Sequence, residues 1–306
     1  MKKIIIVPLV FLSLLTFAQK APKIPENVHR IVFLGNSITY SGSYISYIET
    51  YYTLKYPTRK IEFINMGLPS ETVSKLSEPN HAEGKFPRPK LQDRLSKTLK
   101  EVQPDMIFSC YGMNDGIYMP FDDARFDKFK KGILWLDKKI KQEGIPMIHI
   151  TPSVYEKKGG GAYANVLDLY SDWLLSLAFT NDSEVIDLHW PLKRKIEDIR
   201  AINPYYEFAR DGIHPTKQGH WLIANQVLIS LGELSELHNE DKKLLSSFKN
   251  GRKVLTLVEQ KQKIVKDAWL TEIGHKRPNM KKGLPLIEAQ TQVKIIDAKI
   301  EVLVEE

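Results

Sequence analysis

The chain has 306 residues, with 44 lysines and arginines, 37 aspartates and glutamates, and a formal net charge of +7 at pH 7. Because the basic and acidic residues alternate along helix-like segments, the charge indicates a solvated surface and argues against a nucleic-acid-binding protein, which needs a clustered basic patch. The single cysteine, Cys110, excludes an internal disulfide, so the core alone must hold the fold.

Residues 1–18 have the pattern of an export signal. Lys2 and Lys3 precede the apolar run IIIVPLVFLSLLTFA, which ends in the small-x-small spacing that signal peptidase cleaves. The run is shorter than the roughly 20 residues of a membrane-spanning helix. No cysteine follows it as a lipid attachment site. We therefore expect cleavage after Ala18, no stable membrane anchor, and a periplasmic or secreted product.

Strand-like and helix-like segments alternate from residue 30 to residue 232. Buried strands are predicted at RIVFLG, KIEFINMG, DMIFSCYG, IPMIHITP and SEVIDL. Helices are predicted at SYISYIETYYTLKY, KLQDRLSKTLKEV, ARFDKFKKGILWLDKKIKQEG, NVLDLYSDWLLSLA and KQGHWLIANQVLISLG. This alternation predicts an α/β protein with a parallel sheet covered by helices on both faces. In such sheets, functional residues gather at the carboxyl ends of the strands.

The composition changes after about residue 237. A highly charged segment with one apolar stripe predicts a helix, and the connector GHKRPNMKKGLP leads to a second predicted helix. The β-branched stretch KIEVLV in this second segment could instead form a strand. We therefore divide the chain into a signal peptide (1–18), a main α/β domain (19–237) and a mainly helical C-terminal extension (238–306).

Polar and turn-forming residues follow three of the predicted strands and precede the last helix of the main domain. Each group alone also fits an ordinary turn or a helix cap. Together they supply the parts that acyl transfer requires. The groups are Gly35-Asn36-Ser37, Asn65-Met66-Gly67, Gly112-Met113-Asn114 and Asp211-Gly212-Ile213-His214.

Ser37 is the candidate nucleophile, and a serine hydroxyl attacks only when a base takes its proton. His214 is the candidate base, and Asp211, three residues earlier, can fix its tautomer and stabilise the imidazolium. The candidate oxyanion donors are the backbone N–H groups of Ser37 and Gly67 and the side-chain amide of Asn114.

The order and spacing of these residues resemble the SGNH/GDSL hydrolase family, named for its Ser, Gly, Asn and His. The resemblance covers about residues 29–235. It implies a three-layer α/β/α flavodoxin-like parallel sheet, ester hydrolysis without metal or cofactor, and the catalytic roles just described. The segments GLPSETVSKLSEPNHAEGKFPRP and CYGMNDGIYMPF look like an exported bacterial branch associated with polysaccharide breakdown. The family usually has Asp before the nucleophile, where this sequence has Asn36.

Six further residues are candidates for substrate binding. A loop, an aromatic turn and the C-terminal connector contain most of them, and the connector could fold back to bind an anionic or hydroxylated substrate near the cleft. A solvated loop, core packing or a surface strut would account for the same residues. The candidates are Asn36, His81, Arg88, Tyr118, His275 and Arg277.

The sequence thus favours a serine esterase that removes acetyl or other short acyl groups from a small-molecule or polysaccharide ester through an acyl-enzyme. Two alternatives remain open at this stage. One is an inactive glycan-binding or scaffold protein on the same fold, and the other is a lipase or thioesterase that acts on longer acyl esters. No spacing of His, Cys, Asp or Glu resembles a zinc site, and the sequence makes no prediction of the oligomeric state.

Overall fold

A computed structural model describes residues 22–157, 159–236, 238 and 244–305, so the predicted signal peptide lies outside the described residues. Its centre is a parallel five-stranded sheet in the order β2-β1-β3-β4-β5, with helices packed around it. The predicted three-layer α/β/α architecture is confirmed. The strands are β1 (Arg30–Gly35), β2 (Glu62–Gly67), β3 (Met106–Cys110), β4 (Met147–Ile150) and β5 (Glu184–Ile186).

The helices follow the predicted segments, with two additions and one decision between alternatives. The additions are the short α1 and α6, which are not among the predicted helical segments. The helices are α1 (Ser37–Ser41), α2 (Ser43–Lys55), α3 (Leu95–Val102), α4 (Asp123–Gln142), α5 (Gly161–Thr180), α6 (His189–Ile202), α7 (Lys217–Ser230), α8 (Gly251–Ile273) and α9 (Leu286–Glu305).

The stretch KIEVLV lies inside α9, so the alternative of a strand there is wrong. Ile296 and Ile300 are four residues apart and pack on Val254 and Val258 of α8. Burial of this helical stripe outweighs the β propensity of the branched residues. None of the helices in the described part of the chain is long and apolar enough to cross a membrane.

The register of the sheet brings the ends of three strands to one edge. Gly35 pairs with Gly67 of β2 and with Cys110 of β3, so these three strands end side by side. Strand β1 lies between β2 and β3, and the chain therefore changes direction across the sheet at β1. This switch point is where open α/β sheets form their binding crevices.

The C-terminal helices pack on β2, one of the two edge strands of the sheet. Gln262 of α8 donates from Nε2 to the carbonyl of Phe63 in β2 at 2.6 Å. Lys261 forms ion pairs with Glu49 at 2.5 Å and with Asp297 at 2.8 Å, which joins α8 to α2 and α9. A covered edge strand cannot pair with another chain. The domain boundary near residue 237 stays a prediction.

Candidate active site

Ser37 is the first residue of α1, directly after the turn that follows β1. Asn36 caps this helix, because its Oδ1 accepts a hydrogen bond from the N–H of Ile38 at 3.1 Å. A Cβ at Gly35 would overlap the side chain of Thr39, so the turn from strand to helix needs glycine there. The turn leaves Ser37 partly exposed at the carboxyl edge of the sheet.

The three residues predicted as nucleophile, base and orienting acid form one hydrogen-bonded chain. The hydroxyl of Ser37 lies 2.8 Å from Nε2 of His214. Nδ1 of His214 lies 2.6 Å from Oδ2 of Asp211. This geometry places the proton of the neutral imidazole on Nδ1 and leaves Nε2 free to accept the Ser37 proton.

Asp211 is held as a carboxylate by the turn that it begins. Burial acts to raise its pKa, but hydrogen bonds from the His214 side chain and from the backbone N–H groups of His214 and Ile213 lower that pKa to about 2. The two backbone bonds to Oδ1 measure 2.8 and 2.9 Å. Asp211 therefore carries its charge at neutral pH and can stabilise an imidazolium beside it.

Two residues that the sequence analysis did not single out, Glu156 and Arg200, fix the turn from Asp211 to His214. The N–H of Glu156 donates to the carbonyl of Gly212 at 2.8 Å, and Gly212 has a φ of 77°. Arg200 pairs with Glu156 at 2.6 Å and donates from Nε to the carbonyl of Tyr206 at 3.2 Å. Arg200 thus joins the loop after β4 to the loop that leads into Asp211.

Asn114 is buried, and hydrogen bonds to both its amide nitrogen and its amide oxygen fix the orientation of its side chain. Its Nδ2 donates to the carbonyl of Glu71 at 3.1 Å, and its Oδ1 accepts from the hydroxyl of Tyr118 at 2.8 Å. An amide nitrogen has two N–H bonds, so one remains for another acceptor. Tyr118 orients the amide of Asn114, and its contact with substrate stays a prediction.

The structure contradicts the prediction that Gly67 donates to the oxyanion. The N–H of Gly67 is buried and already donates to Oδ1 of Asn65 at 2.9 Å. A Cβ at Gly67 would overlap the backbone of Thr39 and Tyr40. Glycine is therefore needed here because α1 packs closely against β2, and not to expose an N–H to substrate.

Ser70, three residues after Gly67, offers the donor that Gly67 does not. Its φ of 67° lies in the left-handed region, which a non-glycine residue rarely adopts. Its N–H has no acceptor within the part of the chain that the structure describes. Leu68 bonds to the carbonyl of Gly35 at 2.9 Å and Glu71 accepts from Asn114, so Ser70 lies between β1 and the Asn114 turn. The only sequence signal for this position was its place in the loop after β2.

Two buried carboxylates hold the loops around this site. Asp115 accepts from the N–H groups of Val73 and Ser74 at 2.8 Å each and from that of Gly112 at 2.9 Å. It therefore links the loop after β2 to the turn after β3. Glu71 accepts from Nε and Nη2 of Arg94 at 2.7 and 2.6 Å.

Two of the predicted substrate-binding residues are buried in structural roles. Asn36 is 3% exposed and caps α1, and Arg88 is 4% exposed. Arg88 donates to both carboxylate oxygens of Glu78 at 2.7 Å and lies over the ring of Tyr118. These contacts contradict direct substrate binding by either residue. His81 and Arg277 both contact the ring of Phe86, and His275 lies two residues before Arg277 in the connector.

A model of the GDSL-like lipase/acylhydrolase family matches residues 33–222. Among curated protein sequences, none matches the chain at a significant level. Within the described residues, no group of three or more His, Cys, Asp or Glu side chains could hold a metal ion.

Solved structures share the fold. BT4096, a gut microbial diltiazem-metabolizing enzyme, has a TM-score of 0.57 and 22% identity over 70% of this chain, which spans 49% of the length of BT4096. A catalytic mutant of Axe2, an acetylxylan esterase from Geobacillus stearothermophilus, has a TM-score of 0.53 and 20% identity over 69% of this chain and 97% of its own. LAE5, an alpha/beta hydrolase enzyme from the metagenome of Lake Arreo, has a TM-score of 0.51 and 21% identity over 68% and 97% of the two chains.

Proposed function

The chain belongs to the GDSL-like lipase/acylhydrolase family, and on this premise we propose that it is a serine esterase that removes acetyl or other short acyl groups from carbohydrate. The observation that carries the proposal is the chain of hydrogen bonds from Ser37 to His214 at 2.8 Å and from His214 to Asp211 at 2.6 Å. These are the distances at which a base can activate a serine nucleophile.

In the proposed reaction, Oγ of Ser37 attacks the ester carbonyl while Nε2 of His214 takes its proton. The tetrahedral intermediate places negative charge on the former carbonyl oxygen. The N–H groups of Ser37 and Ser70 and the free N–H of the Asn114 amide donate to this oxygen. His214 then protonates the leaving sugar oxygen, and an acyl-enzyme remains on Ser37. Water, activated by His214, attacks the acyl-enzyme and releases the acid.

The exposure of the catalytic chain supports a bulky substrate with a small acyl group. The side chains of His214 and Asp211 are 49% and 54% exposed, so a polymer can approach them without entering a deep cavity. The structural neighbour Axe2 is an acetylxylan esterase, which is consistent with carbohydrate esters. A lipase or thioesterase would be favoured by a buried apolar channel next to Ser37, whereas this part of the site is open and polar.

The non-enzymatic alternative, a glycan-binding scaffold, gains no support from Asn36. Its side chain caps α1 without disturbing Ser37, whose bond to His214 is formed. A scaffold would have no need for an ionised Asp211 aligned with an imidazole. The assembled chain of hydrogen bonds therefore favours catalysis.

A fluorophosphonate probe tests the proposal, because it bonds covalently only to an activated serine. We expect one probe per chain, located on the peptide that contains Ser37 by mass spectrometry. The variant Ser41→Ala, at an exposed serine on the same helix, should label like the wild type. The untreated protein should release acetate from acetylated xylooligosaccharides. The protein whose Ser37 has been blocked by the probe should not. Folded protein that neither labels nor releases acetate would support the scaffold instead.

The variant Asn114→Ala should lower kcat by roughly 10²–10³, the cost of losing one oxyanion donor, with a much smaller change in KM. The steady-state hydrolysis of p-nitrophenyl acetate measures both constants. Tyr118→Phe keeps the donor and removes only the bond that orients it at 2.8 Å, so its kcat should fall less. An unchanged kcat in Asn114→Ala would contradict the role of the amide as an oxyanion donor.

We also propose that the enzyme is exported. The support is the signal-like pattern of residues 1–18, and a reaction outside the cytoplasm suits a polysaccharide ester that cannot enter the cell. N-terminal sequencing of the protein from its native host should begin at Gln19.

A further inference from the structure

The connector between α8 and α9 is basic and lies beside the helix that begins with Ser37. Lys266 of α8 donates to the carbonyl of Tyr40 in α1 at 3.1 Å and lies 3.7 Å above the Tyr40 ring. Lys276 of the connector pairs with Asp93 at 3.2 Å. The N–H of Gly283 donates to Thr271 of α8 at 2.8 Å. The connector is therefore fixed against the main domain next to α1.

Two cationic or titratable side chains from distant segments meet on one aromatic ring there. The guanidinium of Arg277 lies 5.4 Å from the centre of the Phe86 ring. The imidazole of His81 meets the same ring edge-on, with the ring centres 5.4 Å apart. Burial lowers the pKa of His81, and the charges of Arg88 and Arg277 lower that pKa further. Glu78, 3.2 Å from the His81 ring, opposes this shift of the pKa, and the two side chains share the ring of Phe86.

Arg277 differs from the other cations of this neighbourhood because it has no carboxylate partner among the described residues. Arg88 pairs with Glu78, Arg94 with Glu71, Lys266 with Asp267 and Lys276 with Asp93. Arg277 donates only to the carbonyl of Pro278 and to the sulfur of Met280. The guanidinium therefore has donors left for an anion.

The side chains of His81, Phe86, His275 and Arg277 form what we call the cluster. Three of its nitrogens are buried without a hydrogen-bond partner in the described part of the chain. They are Nε2 of His81, Nδ1 of His275 and Nε of Arg277. A buried polar group without a partner is costly, at roughly 1–3 kcal/mol, and requires an explanation such as a ligand or an ordered water. The two imidazole nitrogens and the Nε of the unpaired guanidinium together indicate a site for an oxygen-bearing group.

Contacts link the cluster to the candidate active site on two sides. On one side, the helix α8 that leads into the connector contacts α1, because Lys266 donates to the carbonyl of Tyr40 at 3.1 Å. Burial and the charge of Asp267 raise the pKa of Tyr40, and the charge of Arg277 opposes this rise. On the other side, His81 contacts Glu78 at 3.2 Å, Glu78 holds Arg88, and Arg88 donates to the carbonyl of Ser70 at 3.4 Å. These contacts place the cluster beside the two segments that contain Ser37 and Ser70.

We propose that Arg277, with His275 and His81, binds a carboxylate of the substrate, so that the esterified carbohydrate contains a uronic acid. This inference rests on the proposed esterase function and adds the substrate class. A planar guanidinium binds a planar carboxylate through two parallel hydrogen bonds, which a neutral sugar cannot match. Arg277 and His275 come from the C-terminal connector, outside the matched family region of residues 33–222, whereas His81 lies inside that region. The C-terminal extension would thus add specificity for acidic sugars to the catalytic residues Ser37, His214 and Asp211.

Two substrates and one variant test the inference. The substrates are an O-acetylated oligomer of a uronic acid and the equally acetylated oligomer of the matching neutral hexose. Arg277→Gln should lower kcat/KM on the acidic oligomer by about 10-fold or more, the scale of a lost hydrogen bond to a charged group. It should change kcat/KM on the neutral oligomer by less than about 2-fold. Lys282→Gln, which removes one charge from an exposed lysine of the same connector, is the control and should leave both values near those of the wild type.

An equal loss on both oligomers, or no loss on the acidic one, would overturn the carboxylate site. Binding separates this result from a failure of the esterase proposal. Calorimetry with the non-acetylated uronic acid oligomer should give a Kd about 10-fold weaker for Arg277→Gln than for the wild type. If the wild type hydrolyses neither ester but shows this difference, the carboxylate site stands and the esterase function fails. Equal Kd values for the two proteins exclude the site.

Discussion

The variant Ser37→Ala should lower kcat for p-nitrophenyl acetate by about 10⁶, which leaves only the catalysis that oxyanion donors and binding can supply. The alanine side chain can form no acyl-enzyme, and His214 then has no hydroxyl to activate at 2.8 Å. The folded structure should persist, because Ser37 begins α1 while the cap of that helix comes from Asn36. Hydrolysis assays with the purified variant measure kcat, and its thermal unfolding curve shows whether the fold persists.

The variant Asp211→Asn separates the charge of the orienting acid from its role in the turn. An amide oxygen can keep the two backbone hydrogen bonds to Oδ1, at 2.9 and 2.8 Å, so the turn should remain. The neutral amide neither stabilises the imidazolium nor fixes the His214 tautomer, and a loss of about 10⁴ in kcat is expected. Added to Ser37→Ala, the change should cost little more, because the residues act as one unit. Additive losses would mean that Asp211 serves some other step.

The parallel sheet could be predicted from the sequence because each strand is a short, fully buried run. In β1, Ile31, Val32, Phe33 and Leu34 are all at most 1% exposed, which produces a continuous apolar pattern. Helix α6 is harder to predict, because its first turn contains Pro191 and its remainder is rich in lysine and arginine. Proline is nevertheless compatible with the start of a helix.

Local spacing predicts the contact of Asp211 with His214, whereas the contact of His214 with Ser37, 177 positions away, was expected from the family resemblance. Asp211 and His214 are three residues apart, and a tight turn brings such residues together. The donors around the oxyanion could not be predicted in the same way. Whether Gly67 or Ser70 offers a free N–H depends on Asn65, whose Oδ1 occupies the N–H of Gly67. A sequence shows that a glycine is present but not which backbone bond is already made.

The supporting ion pairs lay beyond prediction because their partners are distant in the chain. Arg94 and Glu71 are 23 positions apart, and Arg200 and Glu156 are 44 apart. Neither pair belongs to a helical or strand repeat that would indicate contact. The substitution of Asn36 for the usual acid of the family has a simpler account: the amide oxygen accepts the N–H of Ile38 and caps α1 as a carboxylate would.

The variant Glu71→Ala should destabilise the fold by about 3–5 kcal/mol, the cost of leaving a buried charge without its partner. Glu71 is 0% and Arg94 3% exposed, so water cannot replace the lost carboxylate. Tyr111, whose hydroxyl donates to Glu71 at 2.6 Å, also loses its acceptor. The midpoint of unfolding in urea measures the change. Glu62→Ala is the matched control, because its ion pair with Arg30 is solvent-exposed and should be worth less than about 1 kcal/mol.

A double variant distinguishes the cost of an unpaired charge from the loss of a structural bridge. Glu71→Leu combined with Arg94→Met replaces both charges by apolar groups, and such replacements of buried pairs are often neutral for stability. The double variant should therefore unfold at a higher urea concentration than Glu71→Ala. The backbone carbonyl of Glu71 also holds Nδ2 of Asn114 at 3.1 Å, so a displaced loop lowers kcat in both proteins. If stability returns while kcat stays low, the buried pair serves to position the oxyanion donors, and its stabilising role could be supplied by any well-packed core.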